Sequence, residues 1–243
     1  MFSIEKYIFQ DAEIRLANDY YVHPFYQTAF CRLYGLNESE VKVKDGFYPK
    51  DNYDFLLPVL RELAVGRETE VSHFYDVRTT EEFLQPAPEY ALLKGAGLPR
   101  VSPLGVKGMG AFALPFSLVL AELSAEVNRC ALVLCSEIFT PADGEIYLNS
   151  KKCCGGFLLR KYASDSTIDG YCILAYRYNV TREDVDSYKK EHFPKDSTLA
   201  VYEGDSLMDS LSMLDHALKE KFSDFLSVWK LNEKYGLLHI SKR

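Results

Sequence analysis

The stretch from Arg100 to Phe139, RVSPLGVKGMGAFALPFSLVLAELSAEVNRCALVLCSEIF, decides the fold. Its first seven residues read as a strand. Gly108 and Gly110 then flank a sharp corner at Met109, GMGA over 108–111. The apolar segment that follows reads as a helix, with Pro115 tolerated in its first turn. Apolar residues almost all round it predict a buried helix. CALVLCSEI (130–138) is a continuous apolar run, the mark of a strand covered on both faces.

Outward from this core the alternation continues. Upstream, FSIEKYIF and VSHFYDV (71–77) read as strands, and residues 52–65 and 86–95 as helices, with Pro58 ending the first turn of the former or kinking it. Residues 20–50 read as loop with a short helix. Downstream, GGFLLRKY (155–162), YCILAYRY (171–178) and TLAVYE (198–203) read as strands. TREDVDSYKKEHF (181–193) and SLMDSLSMLDHALKEKF (206–222) read as helices. DFLSVW (224–229) and GLLHIS (236–241) form a closing hairpin. Strands alternating with helices predict an α/β fold around a central sheet.

The composition sets the outer bounds. The 243 residues are 47% hydrophobic, enough for a buried core. Lys and Arg total 28 against 35 Asp and Glu, a net charge of −7, which argues against a nucleic-acid binder. Lys151, Lys152, Arg160 and Lys161 are the densest basic group and read as a solvated strand end. Six cysteines without a CxxC pair give no zinc site and fit a reducing cytoplasm. The N-terminus reads as neither signal peptide nor membrane span.

A strand-to-helix corner held open by glycines is a place to present a nucleophile, where the helix dipole favours a thiolate or another anion. Here the corner residue is Met109, whose thioether forms no acyl-enzyme. An ordinary βα turn is the competing reading.

The run SPLGVKGMGAFALPFSLVLAELSAEVNRCALVLCSEIF resembles the N-terminal half of the β-ketoacyl-ACP synthase III family of the thiolase superfamily. There an Ala-Ala-Cys-Ala-Gly-like corner precedes a buried helix and an apolar strand. Counting back without gaps from Cys135-Ser136-Glu137 places Met109 on the catalytic cysteine. KKCCGGFLL stands where the family has Gly-Asp-Gly-Ala-Gly-Ala, and TTEEFLQPAPEYALLKGAGL resembles its Thr-Thr loop and following helix. TLAVYEGDSL resembles the strand that leads to the catalytic histidine, whose position falls near Glu203. The Gly-Asn-Thr segment has no counterpart, and WKLNEKYG, with Gly236 alone, matches the family's glycine-rich closing turn. The resemblance implies a single thiolase-like domain over 1–243 in layered α-β-α-β-α form. Residues 1–163 make its N-terminal half and 164–243 a shortened C-terminal half.

The resemblance also implies a role. Condensation needs a thiolate, His and Asn donors and an oxyanion hole. Losing all of them together implies a non-catalytic subunit, similar to chain-length factors. It would pair with an active ketosynthase III-like enzyme, as heterodimer or heterotetramer, and shape that partner's acyl pocket in polyketide or fatty-acyl secondary-metabolite biosynthesis. Acyl carrier protein or acyl-CoA would come through the partner, with no cofactor and no metal. The interface and pocket residues so implied are Val101, Leu104 and Val106, Met109, and Phe83 and Leu84 at the tip of the loop Thr80–Pro86.

Two other functions compete: an acyltransferase or thioesterase using Cys135, Cys153 or Cys154, and a scaffold or ligand-binding homodimer. Packing is the plainer reading of these cysteines. The same holds for His73 and His239 on their strands and for the aromatic group Tyr20, Tyr21, Phe25, Tyr26 and Phe30. Asp209 and His216 share a helix face, but two residues make no metal site.

Overall fold

The structure is a computed structural model, and it describes residues 1–13, 28, 31–32, 37–40, 50–78, 88–137, 151–163, 166–193 and 199–243. The strands are β1 (Phe2–Glu13), β2 (Val71–Arg78), β3 (Ser102–Val106), β4 (Cys130–Glu137), β5 (Lys151–Lys161), β6 (Tyr171–Val180), β7 (Leu199–Gly204), β8 (Asp224–Leu231) and β9 (Lys234–Lys242). The helices are α1 (Lys50–Ala64), α2 (Pro88–Gly95), α3 (Ala113–Ser124), α4 (Arg182–His192) and α5 (Leu207–Lys219). Pro58 falls in the second half of α1, on its exposed side, and the helix continues through it.

All nine strands join in one sheet, ordered β3-β2-β4-β5-β1-β6-β9-β8-β7. The join between halves is narrow: Phe2 and Ser3 of β1 pair antiparallel with Ile173 and Cys172 of β6. On either side of it the chain repeats one pattern. β1, β5 and β4 pair antiparallel in turn, and β4 then lies parallel to β2. β6, β9 and β8 pair antiparallel in turn, and β8 then lies parallel to β7. The first half adds β3 parallel to β2. The second half stops at β7, because one helix, α5, connects β7 to β8 where α2, β3 and α3 connect β2 to β4.

The side-chain period of a strand assigns each face to a layer. In β4, Ala131, Val133 and Cys135 pack on α3, α5 and the inner face of the C-terminal half, with Phe225, Trp229, Leu238 and Ile240. Cys130, Leu132 and Leu134 face the other way, toward Leu56, Leu60 and Leu63 of α1 and Leu92 and Leu93 of α2. In the C-terminal half, Leu226, Val228 and Leu237 pack on Val185 and Tyr188 of α4. The layers therefore run α1/α2, sheet, α3/α5, sheet, α4, the α-β-α-β-α arrangement expected, with the second half short of a helix and a strand.

α3 departs from its expected complete burial. Leu114, Leu118 and Ala121 are buried, while Val119 and Leu120 are half-exposed and Leu123 is 80% exposed. Its all-round apolarity thus covers the central layer on one side and presents an apolar side to the exterior on the other.

α4 begins with a reciprocal cap: Thr181 Oγ1 accepts from the Asp184 amide, and the Asp184 carboxylate accepts from the Thr181 amide at 2.8 Å. It docks on the sheet through the buried His239 ring. Nδ1 pairs with the Tyr188 hydroxyl at 2.8 Å and Nε2 with Asp224 Oδ1 at 3.2 Å. Burial pushes the His239 pKa below its ordinary 6.5, against the upward pull of Asp224. The unfolded chain therefore takes up this proton before the folded chain does. The contribution to stability is full above pH 6.5 and is lost as pH falls through and below that value. The melting temperature should drop between pH 7.5 and 5.5, and His239→Gln should flatten that slope; an unchanged slope in the variant contradicts this assignment.

Candidate functional site

The corner after β3 takes its shape from two glycines. Gly108 and Gly110 sit at φ 72° and 54°, in the left-handed region that side chains disfavour. Between them Met109 adopts φ −101°, ψ 10° and opens a short 3-10 turn, Gly110–Phe112, that runs into α3. The Phe112 amide donates to the Met109 carbonyl at 3.1 Å. Met109 is half-buried against the central core. No side chain caps the turn. The corner thus joins β3 to α3 through two left-handed glycines and places between them a side chain with no proton to give up.

The corner is seated on the closing hairpin. A Cβ on Gly110 would lie 3.7 Å from the Leu231 methyls, and a Cβ on Gly236 would lie 3.1 Å from the Phe112 ring. The hairpin turn itself is Asn232-Glu233, with Asn232 at φ 56°. Gly236 lies inside β9, opposite Trp229, so it admits the Phe112 ring and belongs to no glycine-rich turn.

Glu203 lies on the other side of the sheet. In β7, Tyr202 faces the central layer, while Glu203 faces α4 and is ion-paired with Arg182 at 3.0 Å and with Lys189. Its carboxylate and Met109 are not brought together. Of the described histidines, His192 and His239 sit beside Tyr188 in the α4 layer. His216 is exposed on α5. His73 is paired with Ser102, at the end of β3 away from the corner. Asp209 and His216 are both exposed, and among the described residues no group of three metal-binding side chains occurs.

The other residues picked out by sequence divide plainly. Leu104 is 43% exposed on β3, whereas Val101 and Val106 are buried in this chain's own cores. Phe83 and Leu84 lie outside the described residues, as do Tyr20, Tyr21, Phe25, Tyr26 and Phe30. Cys135 is fully buried in the central layer, and burial, then Asp76 and Cys154, push its thiol well up. Cys154 is fully buried on the α1 side; burial, then Cys153, push its thiol up to about 12. Both are neutral thiols, poor nucleophiles by the thiolate criterion. Cys153 is half-buried, aligned with Asp11 and Glu137 on the neighbouring strands.

One buried ionic feature escaped the sequence reading. Asp76 and Arg78, two residues apart on β2, are 0% and 2% exposed and pair at 2.8 Å. Arg78 aligns across the sheet with Ser136, whose buried hydroxyl has no hydrogen-bond partner among the described residues. The available signal was the spacing in FYDVR, two charges on one face of an otherwise apolar strand.

No family model and no curated protein sequence matches the chain. Solved structures do. The tetronic acid condensing enzyme AbyA1 superposes with a TM-score of 0.63 at 11% identity, over 100% of both chains. Polyketide synthase PKS-I of the brown alga Ectocarpus siliculosus gives 0.60 at 12%, over 100% of this chain and 98% of that one. The type III polyketide synthase domain of Steely1 from Dictyostelium gives 0.58 at 13%, over 99% of each. The chain has the thiolase-like fold of these structures.

Two outcomes follow from the site. Asp76→Ala should destabilise the fold by about 3–5 kcal/mol in denaturant melts, because it removes the carboxylate paired with the buried Arg78 guanidinium. A loss within about 0.5 kcal/mol, the range of ordinary surface changes, would show the pair to be dispensable. Met109→Cys should be alkylated by iodoacetamide faster than any native cysteine, since the thiol stands at a helix N-terminus. The same variant should still form no condensation product from a malonyl thioester; product formation would show that the remaining machinery is intact.

Proposed function

We propose that this chain is a non-catalytic ketosynthase-like subunit that pairs with an active ketosynthase III-like enzyme in polyketide or fatty-acyl secondary-metabolite assembly. It forms one wall of the partner's acyl pocket. Met109 carries this reading: the corner keeps its two left-handed glycines and its helix, and the residue between them has no nucleophilic atom. A chain under selection for acyl transfer keeps a thiol there; one under selection for shape keeps the glycines.

The surface around β3 supports pairing. Among the described residues β3 is an edge strand, bonded on one side to β2. It exposes Leu104, and α3, which packs against it, exposes Leu123 on its last turn. An open strand edge beside exposed leucines is a surface that proteins keep where another chain covers it. Phe83 and Leu84 are assigned to the same partnership, as the tip that enters the neighbour's pocket. Acyl carrier protein or acyl-CoA reaches this chain through the partner alone. The buried, neutral state of Cys135 and Cys154 weighs against the alternative of an enzyme built on those thiols.

The test is co-purification of the tagged chain from its native host with a cysteine-bearing ketosynthase, beside Leu104→Lys. The wild type should hold the ketosynthase one to one. The variant should lose at least about tenfold in retained partner, the loss expected from charging a central interface position. A wild-type chain recovered as monomer or homodimer overturns the proposal.

A further inference from the structure

The outer helix of the C-terminal half is held to its sheet by little. Of the residues of α4 only Val185 and Tyr188 are buried, against Leu226, Val228 and Leu237. Arg182 and Lys189 reach Glu203 on β7 at the surface, and half-exposed ion pairs of this kind hold weakly. Among the described residues, the buried polar link between helix and sheet is that of Tyr188 to His239, at 2.8 Å. The far end of the ring fixes the hydrogens on this link. The Asp224 carboxylate only accepts, so His239 Nε2 carries the hydrogen that meets it at 3.2 Å. Nδ1 is left as the acceptor for the Tyr188 hydroxyl.

A second proton on the ring lands on Nδ1 and turns that acceptor into a donor, facing the hydroxyl's own hydrogen. The charge it brings is received unevenly. On the sheet stands Asp224 of β8, itself bonded by the Ser223 hydroxyl at 2.9 Å, and it favours the charge. Around Tyr188 the described groups are mostly adverse. The Arg177 guanidinium of β6 lies 5.3 Å over the Tyr188 ring, and His192 of α4 stacks on the same ring at 4.1 Å and opposes a charge on His239. The apolar Phe193 ring closes that side of His239 at 4.6 Å. Glu191, exposed on α4, is the acid that acts on Tyr188. Protonation therefore tightens His239 to Asp224 within the sheet and loosens it from α4.

We propose that α4 is an acid-released latch: a proton taken up by His239 breaks its hydrogen bond with Tyr188, and the helix swings off the sheet and uncovers Leu226, Val228 and Leu237. The β8–β9 hairpin, which carries both Asp224 and His239, stays paired. The direction of the His239 shift agrees: burial opposes the charge, and lifting α4 relieves the burial. The docked form is thus full above pH 6.5 and gives way as pH falls below it. The slope of the melting temperature reports this proton for the whole fold, whereas the latch places its release in one helix. It does not depend on the pairing at β3.

The test is amide hydrogen exchange of the purified full chain at pH 7.5 and 5.5, with rates corrected for their intrinsic pH dependence. Protection over residues 185–192 should fall about fivefold to tenfold at the lower pH, tenfold being the limit for one proton bound by the open form alone at a pKa of 6.5. Protection over 225–230 and 236–241 should hold. His239→Gln should abolish the fall. Arg177→Gln, at an exposed position, should make it smaller, since one cation that opposes the charge is gone. Loss of protection in α4, β8 and β9 together overturns the latch, because the whole half then opens as one. Unchanged protection over 185–192, or an equal fall in His239→Gln, overturns it as well. Should His239→Gln fail to fold, an undiminished fall in Arg177→Gln has the same force.

Discussion

The structure depends on the burial of two helices, α3 and α5, between the halves of one sheet. Each half must then be apolar on its inner face, and each must also be apolar outside, where α1, α2 or α4 packs. β4 meets both demands in eight residues: Ala131, Val133 and Cys135 serve the central layer, and Cys130, Leu132 and Leu134 the outer one. The two halves share few backbone pairs, at Phe2, Ser3, Cys172 and Ile173. Side-chain packing in the central layer, more than sheet hydrogen bonding, holds them together.

The same constraint explains what the corner retains. Gly108 and Gly110 turn the chain out of β3 and into α3, so they are needed for the central layer whatever residue lies between them. Met109 fills a half-buried place at that turn without chemistry. The second half has lost the counterpart of β3 and keeps α5, which again is the element the central layer requires. What has been trimmed is an edge strand and an outer helix, the parts whose removal exposes surface without opening the core. A thiolase-like fold shortened in this way keeps its layers.

Much of this was legible in the sequence. The apolar run Cys130–Ile138 announced a doubly covered strand, GMG announced a sharp turn, and the single helix after TLAVYE announced the shortened half. Period alone did not give the facing of particular residues. Glu203 turned out to face α4 because Tyr202 takes the inward place beside it. Leu123 sits on an apolar helix yet points out, since apolar residues all round a helix do not say which of its sides the chain covers. Asp76 and Arg78 were missed because they pair within one strand inside the fold, which composition does not distinguish from a charged strand end. The role of Gly236 was misplaced for a similar reason: a glycine near a hairpin suggests a turn, and only packing shows that it makes room for Phe112.

The central claim is that acyl chemistry belongs to a partner and not to this chain. Intact-mass measurement after incubation with an acyl-thioester tests it most directly, on the purified chain and on the complex from the native host. The account predicts no mass gain on this polypeptide in either sample and an acyl adduct on the companion's cysteine in the second. An acyl adduct on this chain when it is alone would contradict it.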